Sequence, residues 1–129
     1  MSSVYARRAG IKRAYPMKAS VKIGAVNPVF LLAGLAVPFA SADGTAKFAG
    51  IATFEKDNVG ADGELWVEVE HQEFALVNSG DVVNASVGST AYFASATSVS
   101  IDSSTDSRPV AGIITQLEGD LVWISPAVA

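Results

Sequence analysis

No cysteine occurs among the 129 residues, so neither a disulfide framework nor a thiolate metal site is available. Histidine occurs once, at His71, which excludes a centre built from several imidazoles. No uninterrupted apolar run approaches the roughly 20 residues that a membrane-spanning helix needs, and no membrane partner is expected. A Gly-x-Ser-x-Gly elbow, an EF-hand spacing, a Walker loop and a dinucleotide fingerprint are all missing. Gly60-Ala61-Asp62-Gly63 is loop punctuation rather than a phosphate cradle. Charged residues make up only 17% of the chain against 50% hydrophobic, too apolar a balance for a disordered tail.

What is present favours strands. The apolar residues are mainly Val and Ala with little Leu, and Gly, Ser, Thr and Asn are plentiful, as short strands with many turns require. No segment carries a 3.6-residue apolar stripe. Glu64 to Glu70 alternates Leu65, Val67 and Val69 with Glu64, Trp66, Glu68 and Glu70, the period of a strand with one wet face. His71 to Asn78 continues it, Gly119-Asp120 introduces a last strand over residues 121–125, and Trp123 is expected in the core.

Sliding the chain along itself by 62 positions aligns residues 29–53 with 91–115. Val37 meets Val99, Ser41 meets Ser103, Ala49-Gly50-Ile51 meets Ala111-Gly112-Ile113, and Thr53 meets Thr115. Each copy reads as strand, turn, strand, turn, strand, with Asp43-Gly44 as a hairpin turn in the first and a bulge expected at Gly112 in the second. The expected fold class is therefore all-β: a small barrel or sandwich of about eight to ten short strands.

Charge is segregated. Residues 1–22 hold six cations (Arg7, Arg8, Lys12, Arg13, Lys18 and Lys22) and no acid, whereas residues 23–129 hold all 13 acids against Lys47, Lys56 and Arg108. The division expected is a basic, extended N-terminal arm over 1–22, too poor in apolar residues to fold alone, and one β domain over 23–129. A competing reading takes the basic stretch, the apolar run Val29 to Phe39 and Ala40-Ser41-Ala42 as a secretory leader, leaving a secreted or periplasmic β domain that starts at Asp43. Asn27-Pro28 and Pro38 interrupt that run, and the internal repeat makes it the first copy of a β unit.

Several features resemble the capsid decoration (cement) proteins of tailed bacteriophages. They are Pro28-Val29-Phe30, Phe48-Ala49-Gly50-Ile51, Glu64 to Glu70 leading into Glu73-Phe74, Gly88 to Phe93, Val110 to Ile113 and Leu121 to Ile124. The resemblance spans roughly residues 20–125. It implies a barrel-like, non-enzymatic structural protein that forms a homotrimer on the outer surface of the virion. Its partner would be the major capsid protein, it would need no cofactor, and it would stabilise the contacts between capsomers. The arm is longer than in the family pattern and takes nothing from it.

Candidate contact residues are Tyr5, Arg7, Arg8, Lys12, Arg13, Tyr15 and Lys18, where guanidinium forks and rings suit an acidic protein surface. The same pattern can bind nucleic acid, but the acidic body repels a polyanion. Trp66, among glutamates, is a candidate interface anchor, either for protein or for a glycan or receptor. His71 has no surrounding motif for general base work and is expected at a turn or surface. Glu64, Glu68, Glu70 and Glu73 with Asp57 and Asp62 offer oxygen ligands but no calcium-loop spacing, so no metal is expected.

Overall fold

The computed structural model describes residues 12–126. It is all-β: twelve strands, two single-turn 3-10 segments at Phe39–Ser41 and Asn84–Ser86, and no α-helix among the described residues. The strands are β1 (Lys12–Pro16), β2 (Val21–Ile23), β3 (Pro28–Leu32), β4 (Leu35–Val37), β5 (Lys47–Ala52), β6 (Lys56–Asn58), β7 (Trp66–Glu70), β8 (Phe74–Asn78), β9 (Thr90–Phe93), β10 (Ser98–Ser100), β11 (Val110–Glu118) and β12 (Leu121–Pro126). Ten belong to one sheet, and β2 and β6 form a separate antiparallel pair.

The pairings close into two five-strand circuits of the same plan. In the first, β1 pairs β7, β7 pairs β5, β5 pairs β3 and β3 pairs β4, all antiparallel, and a parallel bridge from Ala36 to Met17 returns the circuit to the end of β1. In the second, β8 pairs β12, β12 pairs β11, β11 pairs β9 and β9 pairs β10, again antiparallel, and β10 returns to β8 in parallel.

The 62-residue offset is visible in the register. Pro28↔Ile51, Val29↔Gly50 and Phe30↔Phe48 in the first circuit match Thr90↔Ile113, Ala91↔Gly112 and Tyr92↔Val110 in the second. Both ladders slip at the same place, beside Gly50 (φ 139°) and Gly112 (φ 151°). There the backbone takes a conformation open to glycine and strained for any other residue. The copies diverge at the hairpin. β3 and β4 are joined by the two-residue turn Ala33-Gly34, both at positive φ as a type I′ turn requires. β9 and β10 are joined by the longer 94–97, and Val99 faces Phe93 rather than Tyr92.

Two cores follow from two circuits. Met17, Val29, Ala36, Ala49, Ala52, Val67 and Val69 fill the first, with Ile23 from β2. The second holds Ala91, Phe93, Val99, Ala111, Ile114, Val122 and Ile124, together with Phe30, Val37 and Phe48 from the first circuit. Phe93 stands edge-on to Phe30 (centroids 5.0 Å) and to Phe48 (4.8 Å), and Phe48 meets Phe74 at 5.4 Å, geometries that suit ring quadrupoles. Each buried ring contributes roughly 1.5–3 kcal/mol from apolar burial. Together with a parallel bridge from Lys47 to Val110, they join the circuits.

Three expectations change. Residues 12–22 are not a separate arm: β1 is a ladder partner of β7, Met17 is fully buried, and β2 pairs β6. Buried Asn58 fastens this stretch, its Nδ2 donating to the carbonyls of Met17 (3.3 Å), Lys18 (3.0 Å) and Ala61 (3.1 Å) and its Oδ1 accepting from the Gly60 N–H (3.2 Å). Cationic side chains did not prevent a strand because only alternate positions face inward, and Tyr15 packs on the first core. Second, Asp43-Gly44 is not a hairpin turn: it lies in the connection from β4 to β5, which do not pair with each other. Third, Trp123 projects from the outer face of β12 while Val122 and Ile124 enter the core.

Candidate interaction surface

Strand alternation on β7 sends Val67 and Val69 into the first core and leaves Trp66, Glu68 and Glu70 outside. The register of β1 sets Pro16 opposite Trp66, Ala14 opposite Glu68 and Lys12 opposite Glu70. On the other side of β7, Ile51 of β5 lies opposite Glu70, and Thr53 donates its N–H to the Glu68 carbonyl at 3.1 Å. The result is a three-strand outer face with a tryptophan at one end and charges of both signs along it. Trp66 is 55% exposed, a large apolar group left in water on a rigid ladder. Lys12 Nζ approaches Glu68 Oε1 at 3.6 Å, both side chains well exposed, so the pair adds little stability but offers a donor and an acceptor side by side.

The candidate residues thus divide. Lys12 and Trp66 share this face. Arg13 and Tyr15 alternate to the opposite side of β1, Tyr15 against the first core and Arg13 close enough to His71 to act on its charge. Lys18 is exposed in the connection to β2, its N–H bonded to the Ala36 carbonyl at 3.1 Å. Tyr5, Arg7 and Arg8 lie outside the described residues.

His71 follows β7 and is half-buried, with Nδ1 3.4 Å from the Ala49 carbonyl. Desolvation lowers its pKa below the ordinary 6.5, the Ala49 contact acting against this and the nearby Arg13 charge adding to it. A neutral imidazole with a backbone partner is what results. Among the described residues no three His, Asp or Glu side chains converge to hold a metal ion. Asp81 ties the second circuit locally, accepting from Ser100 Oγ (2.5 Å), Ser79 Oγ (3.0 Å) and the Ile101 N–H (3.4 Å). Desolvation works to raise its pKa, but these bonds outweigh it and hold the carboxyl below its ordinary 3.8.

A second surface escaped sequence reasoning. On the outside of β8, β12 and β11, Leu121 lies opposite Val77 and Trp123 opposite Ala75, with Val77 45% and Leu121 38% exposed. The Trp123 indole N–H donates to Glu118 Oε1 at 3.0 Å. Leu121-Val122-Trp123-Ile124 and Phe74-Ala75-Leu76-Val77 are apolar at every position, so no alternation signalled which side faces out. Residues 71–126 carry six acids (Glu73, Asp81, Asp102, Asp106, Glu118 and Asp120) and one cation, Arg108, so this half is the acidic one.

Comparison with protein-family models, with curated proteins and with solved structures finds no match to this chain.

Proposed function

We propose that this chain is a capsid decoration protein: a structural, non-enzymatic β protein that sits on the outside of a tailed-bacteriophage head and ties neighbouring capsomers together. The observation that carries the reading is Trp66, more than half exposed on a strand pair fixed by five register positions and flanked by a Lys–Glu pair. A rigid aromatic anchor with a polar surround is the usual form of a protein-binding hot spot. The anchor binds the major capsid protein, and three copies associate around a capsomer junction, as the family resemblance implies. Each contact is weak, and many repeated over a shell raise the barrier to rupture.

The rival secreted domain starting at Asp43 would lose β1 to β4, and with them Met17, Val29, Phe30, Ala36 and Val37 from the two cores. That loss favours a chain that keeps these residues. A second reading takes the same tryptophan as a sugar-stacking platform with Glu68 on the same face as a hydroxyl acceptor, making the chain a virion glycan-binding module.

The test is co-sedimentation of the purified chain with undecorated phage shells. Trp66→Ala should melt at the parent temperature and lose shell occupancy at least tenfold. A variant that decorates as the parent does removes Trp66 from the contact. Failure of the parent to bind any shell, with retention on a glycan array, replaces the capsid reading with the glycan one.

A further inference from the structure

The edge of β8 that faces away from β12 is only partly paired. β10 reaches Val77 and Asn78, where the N–H groups of Val77 and Ser79 donate to the carbonyls of Thr97 (2.9 Å) and Val99 (3.0 Å). Asn78 donates the opposite way, to Asp120 (2.8 Å). By strand alternation the N–H and C=O of Ala75 point to the β10 side, where β10 has already ended and no described backbone group meets them. They open into a groove of about 280 Å³ lined by Val26, Ile51, Phe74, Leu76, Gln72 and Glu70. A second hollow of about 230 Å³ shares Val26, Ile51 and Glu70 and extends the groove along β5. An open peptide edge between apolar walls, with one carboxylate and no cation, fits an extended segment bearing apolar side chains and a positive charge.

We propose that this groove is a strand-accepting site and that its occupant is the N-terminal segment of the same chain, residues 1–11. The exit point argues for it. Lys12 is register-paired with Glu70, a wall of the groove, so the chain before Lys12 leaves beside the site without needing a linker. Eleven residues span up to about 36 Å, several times the length of the open edge. With period two, Val4 and Arg8 would face the wall of Phe74 and Leu76 and Glu70, and Arg7 would face neighbouring Glu73. In the docked strand, continuing the register beyond Lys12↔Glu70 would put Arg7 opposite Ala75. A tether holds the segment at roughly millimolar effective concentration, well above that of a second copy in dilute solution. The docked segment covers an edge that would otherwise recruit foreign strands and straps the junction between the circuits. The proposal stands apart from the capsid reading and is tested on the isolated chain.

Because the chain has no cysteine, Arg7→Cys with Ala75→Cys gives a clean trap. Mild oxidation of the full-length double variant should give an intramolecular disulfide whose yield does not change on dilution, while Arg7→Cys with Thr105→Cys should give none. Disulfide-linked dimers that grow with concentration would assign the groove to a second copy and overturn the proposal. So would absence of any cross-link. Hydrogen exchange supplies a readout without cysteines: the Ala75 amide should exchange at least tenfold more slowly in the full chain than in a chain starting at Lys12. Equal rates overturn it.

Discussion

The paired bulges at Gly50 and Gly112 give the sharpest test of how the two circuits close. Adding a methyl group at Gly112 would place a Cβ 1.9 Å from the Ser125 carbonyl oxygen, 2.8 Å from its carbon and 3.0 Å from Ile124 Cγ2, at a φ of 151°. Two costs combine: about 1–3 kcal/mol for holding a non-glycine residue in that backbone region, and about 1–3 kcal/mol for forcing β12 away from β11. Gly112→Ala should therefore lose about 2–6 kcal/mol, a large share of the 5–15 kcal/mol typical of a domain. At Gly50 (φ 139°) the nearest atom is the Glu70 carbonyl oxygen at 2.6 Å, so Gly50→Ala should cost less than its counterpart, about 2–4 kcal/mol. Gly34 (φ 82°) has nothing within 4 Å of the added Cβ, so Gly34→Ala isolates the backbone cost at about 1 kcal/mol. Urea unfolding with a shared slope measures all three. If Gly112→Ala costs no more than Gly34→Ala, close approach at the bulge is not what fixes the β11–β12 register.

Asn58→Ala removes the three bonds that hold the Met17, Lys18 and Ala61 carbonyls and should cost about 2–3 kcal/mol; an unchanged melting curve would detach residues 17–18 from the body. Ala33 sits at φ 51° in the β3–β4 turn, where asparagine is better tolerated, so Ala33→Asn should add about 0.5–1 kcal/mol by the same unfolding assay. Loss of stability there would deny the type I′ geometry. His71 should titrate below 6.5 in an imidazole NMR titration, and Arg13→Ala should move the midpoint upward. Its folded pKa lies below the unfolded value, so the neutral ring's contribution is complete above 6.5 and is lost as pH falls through the folded pKa. A midpoint unmoved by Arg13→Ala would separate the two groups.

How far the residues spoke for themselves varied along the chain. Val67 and Val69 alternate with Trp66 and Glu68, so the face of β7, and with it the exposed tryptophan, was legible before any fold was known. β8 and β12 were not legible in the same way: with every position apolar, alternation carries no sign, and Trp123 was placed inside when it lies outside. The N-terminal boundary failed for another reason. Charge density between Lys12 and Lys22 looked like a solvated arm, yet a strand needs only alternate inward positions, and Tyr15, Met17 and Ile23 supply them. The groove beside Ala75 had no sequence signal, because an unpaired peptide edge depends on where a neighbouring strand stops.

Local composition and period alone determined that this protein is built of short strands, where a copied strand–turn–strand unit begins, and that its cations and acids are segregated along the chain. Those properties belong to neighbours in sequence, which is why a sequence displays them. Only the tertiary structure decided that β1 closes one circuit and β8 the other, and that Phe30 and Phe48 leave their own unit to complete the second core. It also decided that a largely apolar groove walled by Glu70 opens close to Lys12. Each of these depends on which residues far apart in the chain come to share a boundary, and side-chain chemistry at any one position does not encode that.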